Sequence, residues 1–314
     1  MRVVRFGGVP TIAVICCAAA VICCSAGNAA AQEGGIETFA AGTLFEEGWR
    51  LSTTYLYERK GTLYRGSKDI SNPQDLEREA HRFVTAIDYG VLPQLTASLL
   101  IPVAYQEARL PAATGGKVDS FGLADIALLG KYRIFKKDWE QSTLNLALIS
   151  GLEMPSGKTD EKENGSRLPP EQQPGSGAWN PLVSLASTAS LDRLRFDGFV
   201  FYKFNTEGSQ NFERGDFFAV ELAGAYRFLH TEYPGPTASA RLGFQYRNEQ
   251  RGEIDGRTNP NSGSDQILLR IGLTVHPVPG TDINTNVDVP VFQDYKGVQL
   301  GLDLRIFFGL GFRF

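Results

Sequence analysis

Along the last eighteen residues, 297–314, hydrophobic and polar positions separate by parity. Every even position from Val298 to Phe314 is apolar. The odd positions carry Asp303, Arg305 and Arg313, with Gln299, four glycines and Phe307. Successive side chains of a strand point to opposite faces, so this segment has one oily face and one polar or small face. It is well beyond the usual strand of about five or six residues and ends on an aromatic carboxyl terminus. A soluble sheet can use such a strand, but a transmembrane β-barrel requires strands of this kind.

The same period recurs upstream. Residues 266–277 set Ile267, Leu269, Ile271, Leu273 and Val275 against Gln266, Arg270 and Thr274. Residues 237–247 set Ala238, Leu242, Phe244 and Tyr246 against Arg241, Gln245 and Arg247. Residues 217–228, 143–154, 124–135 and 95–106 follow suit. Weaker alternation at 49–58, 82–89, 181–191, 196–205 and 283–292 completes a count of about 12 strands. The connections alternate in length: long at 59–79, 107–120, 156–177, 206–214 and 248–265, and short at 91–94, 136–140, 192–195, 230–236 and 278–281. Short periplasmic turns and long extracellular loops give an outer-membrane barrel this signature. The expected fold class is therefore all-β, an antiparallel transmembrane β-barrel. In hydrocarbon no water satisfies backbone N–H and C=O groups, so closure of the sheet is obligatory. Trp49, Trp139 and Trp179 fall at expected strand ends, where interfacial aromatic girdles lie.

The first 31 residues read as a cleaved signal peptide: Arg2 and Arg5, an apolar run at 11–24, then Ala29-Ala30-Ala31. Residues 32–48 lack a period and are read as a periplasmic N-terminal segment, either a tail or a piece folded into the lumen. The barrel takes 49–314. All four cysteines (Cys16, Cys17, Cys23, Cys24) fall in the signal, so the remaining chain offers no disulfide and no cysteine-ligated metal. Without Arg2 and Arg5, 29 basic residues face 35 acidic ones, which argues against a nucleic-acid partner. The expected surroundings are outer-membrane lipid and small-molecule solutes. The terminal strand ending in Phe314 is expected to be read by the outer-membrane assembly machinery.

The polar faces direct Asp125, Lys131, Arg133, Glu221, Arg227, Arg241, Arg270, Asp303 and Arg305 into the lumen as selectivity candidates. Both signs sit on neighbouring strands, which favours cross-strand ion pairs. One reading is a polar conduit that screens solutes by charge and size; the other is a salt-bridged filling. Of the three histidines, only His81 lies on the outer side, near Glu77 and Glu79, where a surface hydrolase would act. No serine motif accompanies it, so neither an enzyme nor a catalytic residue is expected. Asp255-Gly256 and 259–265 miss the D-x-[DN]-x-[DN]-G spacing, and no metal or cofactor is assigned.

Several stretches carry a resemblance: Tyr89-Gly90 with 95–102, GLADIALLGKYRIF at 122–135, GLEMPSGK at 151–158, and the terminal strand. Together they resemble the outer-membrane family named for the meta-pathway of phenol degradation, with Ala124 where glycine is common. The resemblance implies a channel for passive uptake of small molecules, hydrophobic or aromatic ones among them. A structural or surface-interaction barrel with a blocked lumen is the alternative.

Overall fold

The computed structural model describes residues 39–110 and 116–314; the expected signal peptide and residues 32–38 lie outside the described part. The strands in chain order are β1 (Trp49–Gly66), β2 (Lys68–Ile70), β3 (Glu77–Leu92), β4 (Leu95–Arg109), β5 (Lys117–Leu123) and β6 (Ala127–Trp139). There follow β7 (Ser142–Glu153), β8 (Lys162–Glu163), β9 (Ser166–Arg167), β10 (Asn180–Leu191), β11 (Leu194–Lys203) and β12 (Phe212–Glu213). The last are β13 (Phe217–His230), β14 (Thr237–Glu249), β15 (Glu253–Ile254), β16 (Arg257–Thr258), β17 (Ser264–His276) and β18 (Thr281–Arg313).

Pairing runs β18–β17–β14–β13–β11–β10–β7–β6–β4–β3–β1 and returns from β1 to β18, every step antiparallel. The element β18 spans the wall twice. Residues 283–295 pair with β17, the chain reverses at Gly297, and residues 298–313 pair with β1. Gly297 has φ +94°, and a Cβ there would lie 2.5 Å from the Pro260 carbonyl oxygen, so the turn demands glycine. The expected antiparallel barrel of about twelve passes is thus the fold. At its base Trp49 and Phe314 exchange backbone bonds of 2.8 and 3.0 Å, which seals the seam.

Burial alternates along each wall strand, because one face meets the lumen and the other faces outward. The outward face is apolar and exposed, with Phe83, Leu128, Leu222, Phe244, Ile271 and Phe308 each about half uncovered or more. In water such a surface would be an aggregation liability; against hydrocarbon it is the required one. Trp49 opens β1, Trp139 ends β6 and Trp179 precedes β10, all exposed at strand ends. Short turns at 93–94, 140–141 and 192–193 serve the periplasmic end. Gln141 and Asp192 adopt the positive φ of tight hairpins there. The outer loops fold on themselves: Asn164-Gly165 turns β8 into β9, and Asp255-Gly256 turns β15 into β16, both at positive φ.

The terminal strand departs from strict parity at one point. Arg59 pairs with Leu304 but Lys60 pairs with Leu302, so Asp303 is an extra, bulged residue. A bulge inverts the alternation beyond it. Below it the expectation holds: Ile306, Phe308 and Phe312 point outward and Arg305 inward. Above it Leu302 turns into the lumen beside Lys60 and Arg305. Leu300 joins a buried cluster with Leu63, Leu76, Leu110, Val118 and Leu168. Asp303 therefore is not a lumen residue. It faces outward, accepts 2.8 Å from the Thr62 hydroxyl and sits over Gly61, near Glu77.

Residues 39–48 do not trail into the periplasm throughout. Phe39 and Ala41 are buried in the lumen core, and Glu47 N–H reaches the Gly90 carbonyl at 2.8 Å near the base.

The bulge predicts a labelling pattern for single cysteines in the otherwise cysteine-free barrel. A lipid-soluble maleimide should modify Ile306→Cys and Phe308→Cys readily and leave Leu302→Cys and Leu300→Cys protected. Equal labelling at 302 and 306 would refute the inversion.

Candidate functional site

The lumen has two unlike walls. One is apolar, built by Val84, Leu100, Leu129, Ile149, Leu182 and Phe201 with several alanines. The other is a belt of charge whose residues come from alternate positions of β1, β3, β11, β13, β14, β17 and β18. Arg241 bridges Asp197 at 2.8 Å and Glu221 at 2.9 Å. Arg270 bonds Glu221 at 2.6 Å and grips Asp288 through two parallel bonds of 2.7 and 2.8 Å. Arg305 donates to Glu58, which Lys60 also meets at 3.3 Å. Arg82 and Arg247 act electrostatically on Glu58, and Arg195 meets Asp197 at 3.0 Å. Among the described residues the belt thus holds seven cations and four carboxylates. Charges taken out of water cost several kcal/mol each unless paired, which is why the carboxylates are shared between arginines.

Three cavities lie in a row along this belt. The periplasmic one is lined by Asp192, Arg193, Arg227 and His276, and shares Arg241 and Asn284 with the next. The central one is bounded by Arg241, Arg270, Arg305, Phe199, Phe307 and Phe39. It shares Arg305 with a smaller outer cavity beside Lys60, Arg247 and Leu302. Each cavity of the row shares lining residues with the next, on the charged side of the barrel. The other side is occupied by residues 39–44: Phe39 wedges between Phe199 and Phe201, with ring centroids 5.6 and 5.5 Å away. Ala41 N–H donates to Thr188 Oγ1 and Leu44 N–H to Thr96 Oγ1, each at 3.0 Å.

Of the sequence-derived candidates, Glu221, Arg241, Arg270 and Arg305 meet in the belt. Arg227 lines the periplasmic cavity. Lys131 is buried and reaches the Gly42 carbonyl at 3.3 Å, against the inserted segment. Arg133 lies at the periplasmic mouth and holds the Pro93 carbonyl at 2.9 Å. Asp303 faces outward, as described above. Asp125 is elsewhere. The wall strand is interrupted between β5 and β6, and Asp125 stitches the break. It accepts from Gly157 N–H at 3.0 Å, Ser176 N–H at 2.7 Å and Ser176 Oγ at 2.5 Å. Gly157 and Gly175 touch so closely there that a Cβ on either would lie about 2.5 Å from the other's backbone. The GLADIALLGKYRIF and GLEMPSGK stretches thus supply the two sides of one latch.

Sequence reasoning missed Glu58 and Lys60, because alternation on the first strand weakens where the charges begin. It missed Arg82 because that residue opens a strand in the sequence pattern. The signal for each was its parity within the strand. His81 faces outward. Its Nδ1 lies 2.8 Å from the Tyr55 hydroxyl, and its ring packs on Tyr57 and Tyr105, with no serine in the contact. In the outer loops, burial together with Glu253, Asp216 and Glu207 holds the Glu213 carboxyl above the ordinary carboxylate range.

A closed antiparallel wall, an apolar outer surface and a charged interior define a β-barrel of the outer-membrane type. Within that class the chain belongs to the family described as "Putative MetA-pathway of phenol degradation", whose model matches residues 64–291. Among solved structures it is similar to the COG4313 outer membrane channel from Pseudomonas putida F1. Identity there is 15%, with TM-score 0.67 over 87% of this chain and 98% of that one. It is also similar to the β domain of the Bordetella autotransporter BrkA, at 10% identity and TM-score 0.48 over 86% of this chain and 100% of that one. No curated protein matches the chain.

Removing the latch carboxylate should loosen the wall at the break between β5 and β6. Asp125→Ala leaves three donors unanswered and should lower stability by about 2–4 kcal/mol, since hydrogen bonds to charged groups contribute roughly 1.5–3 kcal/mol each. Urea unfolding in lipid vesicles, followed by tryptophan fluorescence, measures this. A loss below about 0.5 kcal/mol, the usual range for surface changes, would mean that Asp125 is not a latch.

Proposed function

We propose that the chain is an outer-membrane channel for passive entry of small molecules, hydrophobic or aromatic ones among them. The observation that carries this reading is the row of three cavities, with Arg241, Asn284 and Arg305 as the residues that neighbouring cavities share. A solute following it would meet cations on one side and apolar side chains on the other. Selectivity would then rest on charge density and pore width, as in other protein pores. Export by a signal peptide cleaved after residue 31 and residence in the outer membrane are part of the same reading. So is the absence of covalent chemistry: His81 spends its ring nitrogen on a tyrosine at the lipid-facing surface.

A second reading has its own observation. Residues 39–44 fill the apolar half of the lumen, which suits a closed barrel whose outer loops bind partners. The two readings differ in a planar bilayer. The channel reading expects small, anion-preferring conductance steps, and Arg241→Gln should reduce the anion preference. Deleting residues up to Gly42 should enlarge the steps by uncovering the apolar half. A silent bilayer together with no flux of sugars, amino acids or aromatic acids into liposomes would leave the closed-barrel reading.

Assembly is the third element. Phe314 makes the last backbone pair of the closing seam and leaves its ring exposed, available to the machinery that inserts such barrels. Removing Phe314 should slow insertion into membranes in cells while the truncated chain still folds in detergent. Normal insertion of the truncated chain would remove this role.

A further inference from the structure

We propose that the central cavity is a binding site for a small aromatic monocarboxylate, such as a benzoate. This rests on the channel reading only for how the ligand arrives. Ligand sites are mostly apolar with a few convergent polar groups, and this cavity combines the two. Three phenylalanines, Phe39, Phe199 and Phe307, supply the apolar part and favour a flat ring by edge or offset contacts. Against them stand three guanidinium groups and two carboxylates, Asp197 and Glu221. The two kinds of group are adjacent, for Arg270 lies 5.0 Å from the Phe307 ring centroid. A ring placed on the phenylalanines therefore puts its substituent within reach of the arginines.

The chemistry of the wall selects among solutes. A hydrocarbon would displace water from the guanidinium groups and return no hydrogen bond, which is costly. A short aliphatic acid would satisfy the charge and leave the rings uncovered. Planar forks of N–H donors match a carboxylate, which arginine binds better than other side chains do.

Binding can be read without flux, by saturation-transfer NMR titration of the folded protein in detergent micelles. The probes are benzoate, 4-hydroxybenzoate, phenol, toluene and acetate. Benzoate and 4-hydroxybenzoate should bind about tenfold tighter than phenol, toluene or acetate, the scale of one charge-assisted contact. Arg241→Gln and Phe199→Ala should each weaken benzoate binding severalfold, while Lys162→Gln in the outer hairpin leaves it unchanged. Phenol or toluene binding as tightly as benzoate would overturn the proposal. So would benzoate binding that both cavity variants leave intact. If Arg241→Gln does not fold, the probe series on the unaltered protein decides alone. Benzoate binding without flux would remove the channel reading and keep this site; flux without saturable benzoate binding would do the reverse.

Discussion

In hydrocarbon each backbone amide left unpaired costs several kcal/mol, so a strand exposed at either edge cannot remain there. The pairing of β1 with the returning arm of β18 is the contact that removes the last two edges. Its register decides much else. It brings Trp49 against Phe314 at the base, Glu58 opposite Arg305 in the middle, and Thr62 beside the bulged Asp303 towards the outside. Because side chains alternate, fixing this one register fixes which residues of both strands face the lumen.

Closure creates a second problem, since twelve passes enclose an interior wider than an eight-stranded barrel can fill with side chains. The chain solves it asymmetrically. Near mid-height, strands β3, β4, β6, β7 and β10 send small and aliphatic residues such as Val84, Leu100, Leu129, Ile149 and Ala186 inward, and the segment at 39–44 packs on them. Strands β13, β14, β17 and β18 send charged and amide side chains inward and leave space between them. The arginines are long enough to reach a carboxylate two strands away, as Arg241 on β14 does to Asp197 on β11 while also meeting Glu221 on the intervening β13. Stiffness on one side and open volume on the other follow from the same alternation with different residues in it.

Much of this was legible in the sequence, and the failures have physical causes. Period two and alternating loop lengths define the wall, because lipid imposes an apolar face that no other environment demands so regularly. The polar half of the lumen was legible for the same reason. The apolar half was not, because β4 or β7 carries hydrophobic residues on both faces and parity is silent there. The bulge at Asp303 changes no residue type and shows itself only through the pairing of Lys60 with Leu302. Asp125 looked like a lumen charge because its parity in an unbroken strand would place it there. The strand breaks at that residue, and its carboxylate turns to the backbone of 157 and 176. Residues 39–44 carry no period, since a segment that packs inside a lumen meets the wall on more than one side.

The pairing within the belt bears on how such an interior can serve passage. Bare arginines in a low-dielectric lumen would hold any anion strongly, and a site that binds strongly releases slowly. Here each guanidinium of the central cavity already rests against a carboxylate. On the channel reading, an entering anion would compete with Asp197 and Glu221 rather than meet unshielded charge. The exchange of one carboxylate for another is close to balanced, so the arginines would guide an anion without trapping it. The surplus of cations in the belt would set the preferred sign, and the shared carboxylates would keep the preference shallow enough for the solute to leave.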